Sequence, residues 1–258
     1  MLIAFDIETI PDLEGGRKLF DLDGIDDKET AKAMLAARRE KVANADFLPL
    51  HQHRVVAISL AARWGKDQFG VRTLGDIESD EKEIVQKFFN IVEKSPTLIS
   101  WNGNGFDLPV LQYRAMIHSI PSVTYWDTGK FNSDFKWSNY QSRYHNRHVD
   151  LMDILSRYQP RACAPLGDIC KLIGLPGKLG VGGSNVFDAY LEGDLQGIRD
   201  YCEIDALTTF LVYLRFELIR GIYTEQRYEN ELQLVRNWLS ESDAGLFQQF
   251  LSAWKPNN

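Results

Sequence analysis

The sequence predicts an α/β protein: a mixed β-sheet flanked by α-helices, folded as a single domain over residues 1–258. Three observations lead there. Apolar, β-branched runs that read as strands dominate the first hundred residues. Helical periodicity separates the later strands, and the part from about 165 to 258 reads almost wholly as helix. No internal repeat or low-complexity linker divides the chain, and 258 residues suffice for one large core.

The first strand, Leu2-Ile3-Ala4-Phe5-Asp6-Ile7-Glu8-Thr9, organises the rest. Side chains alternate faces along a strand, so Ile3, Phe5 and Ile7 share one face and Asp6 and Glu8 the other. Adjacent carboxylates on an apolar strand repel and are costly to desolvate, a cost that a hard divalent cation offsets. A half-exposed strand with a wet acidic side explains the octet equally well by itself. Pro11 and the pair Gly15-Gly16 then break the pattern. A helical insertion is expected over about 13–48, with a charged, Ala-rich helix at about 27–44 whose apolar stripe is thin. The acidic run 21–27 has its glycine at the fourth position and no glutamate at the twelfth, so it reads as solvated loop rather than calcium loop.

Strands follow at 54–62 and 68–74 around a Gly65-Lys66-Asp67 hairpin turn. Ile84, Phe88 and Ile91 set the period of a helix at 78–94. A buried strand at 97–101 and a helix at 108–118 come next. Residues 119–148 are aromatic, polar and irregular; Trp126, Phe131, Phe135, Trp137, Tyr140 and Tyr144 suit either a path for a single strand or a cover over the sheet edge. An apolar segment at 149–155 leads into the helical part.

Composition is that of a soluble globular protein, with 44% apolar and 25% charged residues. No run reaches the length of a membrane span, and the N-terminus lacks a signal-peptide layout, so no membrane partner is expected. Three widely spaced cysteines without a Cys-x-x-Cys pair argue against a disulfide scaffold or zinc site and favour a reducing, cytoplasmic setting. A net charge of −7 speaks against a protein that coats duplex nucleic acid. It leaves room for an enzyme whose metal ions screen its acidic site from phosphate.

Two further stretches carry chemistry. The strand at 97–101 runs into Asn102-Gly103-Asn104-Gly105-Phe106-Asp107, where the glycines permit a tight turn and Asp107 opens a helix. No third glycine follows at the dinucleotide-binding spacing. On the long helical pattern at 195–219, Ile204, Leu207, Leu211, Leu214 and Leu218 form a core stripe. Tyr201 and Asp205 lie beside it, stacked one turn apart.

Asp-x-Glu on a strand, Asn-Gly-x-x-Phe-Asp about a hundred residues later, and Tyr-x-x-x-Asp on a late helix resemble the DEDDy family of 3′–5′ exonucleases. The particular likeness is to the predicted exonucleases related to the proofreading domain of family B DNA polymerases, and it extends through 172–178. The resemblance implies a ribonuclease-H-like fold and two bound divalent ions, Mg²⁺ or Mn²⁺. It assigns Asp6, Glu8, Asp107, Tyr201 and Asp205 as catalytic, the four carboxylates as metal ligands, and Tyr201 as the residue that orients the attacking water. Asp6 is the candidate to bridge both ions, with Glu8 and Asp205 on one and Asp107 on the other. Thr9, Asn102 and Phe106 are candidate substrate contacts, as is Lys178, for which a solvated lysine is the alternative. A sister group uses His-x-x-x-x-Asp; His145 and Asp150 fit that spacing but lie only 43 positions after Asp107, in an irregular stretch. His148 and Asp150 are expected to support the site from behind.

The expected activity is removal of nucleotides from the 3′ ends of single-stranded nucleic acid, with DNA favoured. RNA trimming and a catalytically silent binding module are the alternatives. Four costly carboxylates argue against silence. Any proofreading or repair role implies a polymerase or repair partner in trans.

Overall fold

The computed structural model describes residues 1–176 and 186–254. In chain order the elements are β1 (Leu2–Pro11), α1 (Leu13–Phe20), α2 (Asp27–Lys41), β2 (His53–Trp64), β3 (Gln68–Thr73), α3 (Glu81–Val92), β4 (Thr97–Ser100), α4 (Asp107–His118) and α5 (Val123–Trp126). Then come β5 (His148–Asp150), α6 (Leu151–Leu155), α7 (Leu166–Leu172), α8 (Val186–Leu191), α9 (Leu195–Ile219), α10 (Glu225–Glu241) and α11 (Gly245–Ala253). No helix of the described residues is long and apolar enough to cross a membrane.

The five strands lie in the order β3-β2-β1-β4-β5. β1 pairs antiparallel with β2 and parallel with β4, while β3 and β5 extend the sheet antiparallel and parallel respectively. This is the ribonuclease-H-like arrangement that the resemblance implies. Period-two alternation decides both layers. Ile3, Phe5 and Ile7 pack with Ile84, Val85, Phe88 and Phe89 of α3 and Leu108, Val110 and Leu111 of α4. Ala4, Ala61 and Ile99 on the opposite face pack against Ile204, Leu207, Phe210, Leu211 and Leu214 of α9. Burying each large side chain of this kind contributes roughly 1.5–3 kcal/mol, and both layers converge on β1.

The sheet is irregular at two places around the end of β1. Glu8 pairs with Ala57 but Thr9 with Val55, so Val56 is an extra residue in β2 that turns the end of β1. β4 pairs with β1 only from Leu2 to Ala4, so the edge of β1 beyond Ala4 is open on that side.

The insertion holds two helices where one was expected. α1 runs through Gly15 and Gly16, residues read from sequence as a break. Both glycines are there for space: a Cβ at Gly15 would clash with the Asp12 cap carboxylate, and one at Gly16 with the Met34 side chain of α2. The apolar segment at 149–155 is divided, its first part closing the sheet as β5 and the rest forming α6. The aromatic stretch covers the sheet: Tyr125, Phe135 and Tyr140 are buried, and the Tyr125 ring stacks at 5.8 Å on Tyr140. Phe131, Trp137 and Tyr144 remain exposed.

A buried ion network ties these layers together. Arg114 of α4 is 3% exposed and bonds Asp12 at 2.5 Å and Glu81 at the start of α3. Glu81 also accepts from Val55 N–H at 2.7 Å and pairs with His118 Nε2 at 2.8 Å. Residues from α1's cap, β2, α3 and α4 thus share one set of charge-assisted hydrogen bonds.

Candidate active site

β1 presents Asp6 and Glu8 toward α9, whose core stripe turns Tyr201 and Asp205 back toward them. One oxygen each of Asp6, Glu8 and Asp205 lies within 4.8 Å of the others. Glu8 is 8% and Asp205 9% exposed, so these charges face one another with little water between them. Burial first, then the charges of Asp205, Glu8 and Asp107, push the Asp6 carboxyl well above the ordinary carboxylate range. The Cys202 thiol, one residue after Tyr201, lies 3.3 Å from the main-chain oxygen of Asp6 and helps seat α9 on the strand.

Asp107 reaches the cluster from the open edge of β1. Its carboxylate accepts from the main-chain N–H of Ile7 and from its own N–H at the start of α4. Burial above all, with Asp150 and Asp205 as like charges nearby, raises its pKa to about 7. Asp107 stands outside the 4.8 Å triad yet is electrostatically coupled to it.

Tyr201 is 3% exposed and its hydroxyl is hydrogen-bonded to Asp205. Burial, then the charges of Asp205 and Glu8, push the phenol pKa upward, so it keeps its proton and serves as a donor. His145 is placed elsewhere: its Nδ1 accepts from Asn139 N–H at 3.1 Å within the irregular stretch. The tyrosine form of the third motif is therefore the one whose side chain meets the carboxylates.

The loop between β4 and α4 is held from behind by Asp150. Its carboxylate accepts from Asn102 N–H at 3.0 Å, Asn104 N–H at 2.8 Å and Asp153 N–H at 3.2 Å. Asn102 has φ +70°, and a Cβ at Gly105 would clash with its side chain. Gly103 is equally constrained, because a Cβ there would run into Ser100. His148 Nε2 bonds Ser100 Oγ at 2.8 Å, while burial lowers the histidine pKa to about 4. His148 and Asp150 thus stand behind the loop.

The candidate substrate contacts fall on two clefts. Thr9 and Phe106 line a cavity of about 780 Å³ beside Glu8, lined also by Lys28 and Lys32 of α2 and by Phe187 of α8. Asn102 lines another of about 490 Å³ with Arg143, Asp153 and Tyr158. Lys178 lies outside the described residues. Sequence reasoning missed His53, whose ring packs at 4.6 Å from Phe47 and 5.3 Å from Phe106 and whose Nδ1 is 2.9 Å from Thr9 Oγ1. Pairing the start of β2 with the end of β1 was the available signal, since it sets His53 opposite Pro11.

The donor set tests the metal expectation. All four acids offer hard oxygen, with no thiolate or imidazole among them, and three converge tightly enough to bind one ion. Buried mutual repulsion is the electrostatic state a dication relieves. These residues fit a hard divalent cation.

Fold and site together define a mixed-sheet α/β domain with a convergent acidic centre at its central strand. Sequence comparison adds the family. The chain belongs to the predicted 3′–5′ exonucleases related to the exonuclease domain of PolB, whose sequence profile matches residues 45–254. DNA polymerase 1 of Sulfurisphaera ohwakuensis is 29% identical over 95 residues, covering 30% of this chain and 11% of that polymerase. The structure of the family B DNA polymerase from Pyrobaculum calidifontis aligns with 98% of this chain and 27% of its own, at TM-score 0.49 and 15% identity. The chain thus spans about a tenth and about a quarter of these two polymerases.

Proposed function

We propose that this protein hydrolyses phosphodiester bonds at the 3′ end of single-stranded nucleic acid, DNA by preference, using two divalent ions. The observation that carries the reading is the meeting of Asp6, Glu8 and Asp205, brought from the two ends of the chain into one buried triad. Asp6, Glu8, Asp107 and Asp205 would hold the ions. Bound, the ions supply Lewis-acid stabilisation of the attacking and leaving oxygens and lower the pKa of bound water.

The remaining work belongs to the chain itself. Tyr201, kept protonated with its single proton directed at Asp205, hydrogen-bonds and orients the attacking water through an oxygen lone pair; it is not a base at neutral pH. Asp150 holds the loop that presents Asn102 and Phe106. Phe106, which lines the cavity beside Glu8, offers a ring face for a terminal base. Three free cysteines suit the cytoplasm, where a polymerase or repair partner would act in trans.

The test is incubation with end-labelled single-stranded DNA and RNA in Mn²⁺, Mg²⁺ or chelator, with Asp205→Asn alongside. Metal-dependent laddering from the 3′ end, lost by at least about three orders of magnitude in the variant, is expected. Equal turnover in chelator, or near-normal turnover by Asp205→Asn, refutes it.

A further inference from the structure

The cavity beside Glu8 is large for a single nucleoside. Its volume of about 780 Å³ lies in the upper part of the range of small-molecule sites, about 300–1,000 Å³, and a nucleoside is a small ligand by that measure. Glu8, Thr9 and Phe106 form the side next to the acidic centre; the insertion and α8 form the far wall. The buried residues of α2 are Thr30 and Met34, and Met34 packs into the space beside Gly16 of α1. The neighbouring stripe, Lys28, Ala31, Lys32 and Leu35, shares one face of the helix by its spacing, and all four line the cavity. Phe187 and Leu191 of α8 add apolar surface. Phe47, also on the cavity, meets Phe106 edge-on at 5.4 Å and is nevertheless 55% exposed.

Charge decides what this far wall suits. Lys28 and Lys32 are matched there by Asp46 and Asp188. Lys32 is paired with Glu29 at 2.6 Å and Asp46 with Arg39 at 3.2 Å. An additional phosphate therefore gains little, whereas a neutral, flat, apolar group gains by desolvation and by ring contacts. Resting on the exonuclease reading above, we propose that the wall of α2, Phe47 and α8 receives the extra bulk of an enlarged terminal base. The enzyme then removes 3′-terminal nucleotides whose base carries a polycyclic aromatic adduct. The bond broken is the ordinary phosphodiester: the oxygen of water joins phosphorus, the 3′-oxygen of the penultimate nucleotide leaves and takes a proton, and the adduct departs on the released nucleoside monophosphate.

Single-stranded oligodeoxynucleotides that differ only in their last base, thymine or thymine carrying a pyrene, test the pocket in Mn²⁺. We expect kcat/KM for the pyrene end to be no more than about threefold below that of the plain end; a larger penalty overturns the inference. Leu35→Trp fills the far wall from α2. It should leave plain ends within about threefold of wild type and lower the pyrene-to-plain ratio by about tenfold or more. A ratio that falls by less than about threefold overturns the inference and leaves the exonuclease reading standing. Competition binding of the same two ends in chelator gives the ratio independently of turnover. Loss of pyrene-end binding confined to Leu35→Trp, with no turnover of either end by wild type, refutes the exonuclease reading and leaves the pocket standing. If Leu35→Trp does not fold, Ala31→Phe on the same face of α2 decides by the same ratio.

Discussion

Asp6→Asn is the most informative single change, because Asp6 sits where three other carboxylates converge. A carboxyl whose folded-state pKa is raised binds its proton more tightly in the fold than in the unfolded chain. Its contribution to stability is complete below the ordinary carboxylate range and is lost as pH rises through the raised value. Without metal, the wild type at neutral pH therefore carries the cost of crowding that burial and Asp205, Glu8 and Asp107 impose on Asp6. Asparagine cannot ionise, so the metal-free variant should be as stable as wild type or more so at pH 7. A divalent ion that binds only the fold contributes about 2.7 kcal/mol at a hundredfold excess over Kd. An unfolding entropy of about 2.1 cal/mol/K per residue, taken over the whole chain, makes that a rise of about 5 °C in Tm. The measurement is a thermal melt of both proteins in chelator and in Mn²⁺. Wild type should gain about 5 °C and Asp6→Asn less than about 1 °C. Equal Mn²⁺ shifts would place the ion elsewhere and refute the central role of β1.

Three further outcomes are expected. Tyr201→Phe should lower kcat by roughly ten- to a thousandfold with its melting temperature nearly unchanged, since water orientation alone is lost; single-turnover kinetics checks it, and a silent change would remove Tyr201 from the mechanism. Arg114→Met leaves two carboxylates in place of a buried network and should cost about 3–5 kcal/mol, a fall of roughly 6–9 °C in Tm; a calorimetric loss below about 2 °C would contradict it. His148, with its pKa lowered to about 4, keeps its stabilising effect above about pH 6.5 and loses it as pH falls toward 4. Wild type should therefore lose up to ~3 kcal/mol more than His148→Gln over that window in urea titrations, and parallel pH profiles would show that His148 titrates alike in the folded and unfolded states.

Much of the site was legible because its signals are local. The alternation of Ile3, Asp6, Ile7 and Glu8 names a strand and its two faces without any partner. The i,i+4 pair Tyr201 and Asp205 lies beside a stripe whose buried members, Ile204, Leu207, Leu211 and Leu214, reveal which way the helix turns. What stayed hidden depends on contacts between distant residues. Gly15 and Gly16 look like helix breakers until Asp12 and Met34 are seen to occupy the space their side chains would need. Residues 12, 81, 114 and 118 say nothing of one another in sequence, yet share one buried set of charges. His53 mattered only once the register at Glu8 and Thr9 was known. The strand β5 is three residues long, too short for a period to show.

Between Tyr201 and Asp205 stands Glu203, whose carboxylate accepts from both N–H and Oγ1 of Thr73, each at 2.8 Å. Thr73 ends β3, the outermost strand, so a side chain of α9 grips the rim of the sheet while its neighbours look into the centre. A helix advances 100° per residue, so the three side chains at 201, 203 and 205 are set like teeth on a wheel. Glu203 is the pawl: engaged on Thr73, it resists rolling and slipping of α9, and so helps set from the rim of the sheet the angle at which Tyr201 and Asp205 meet β1.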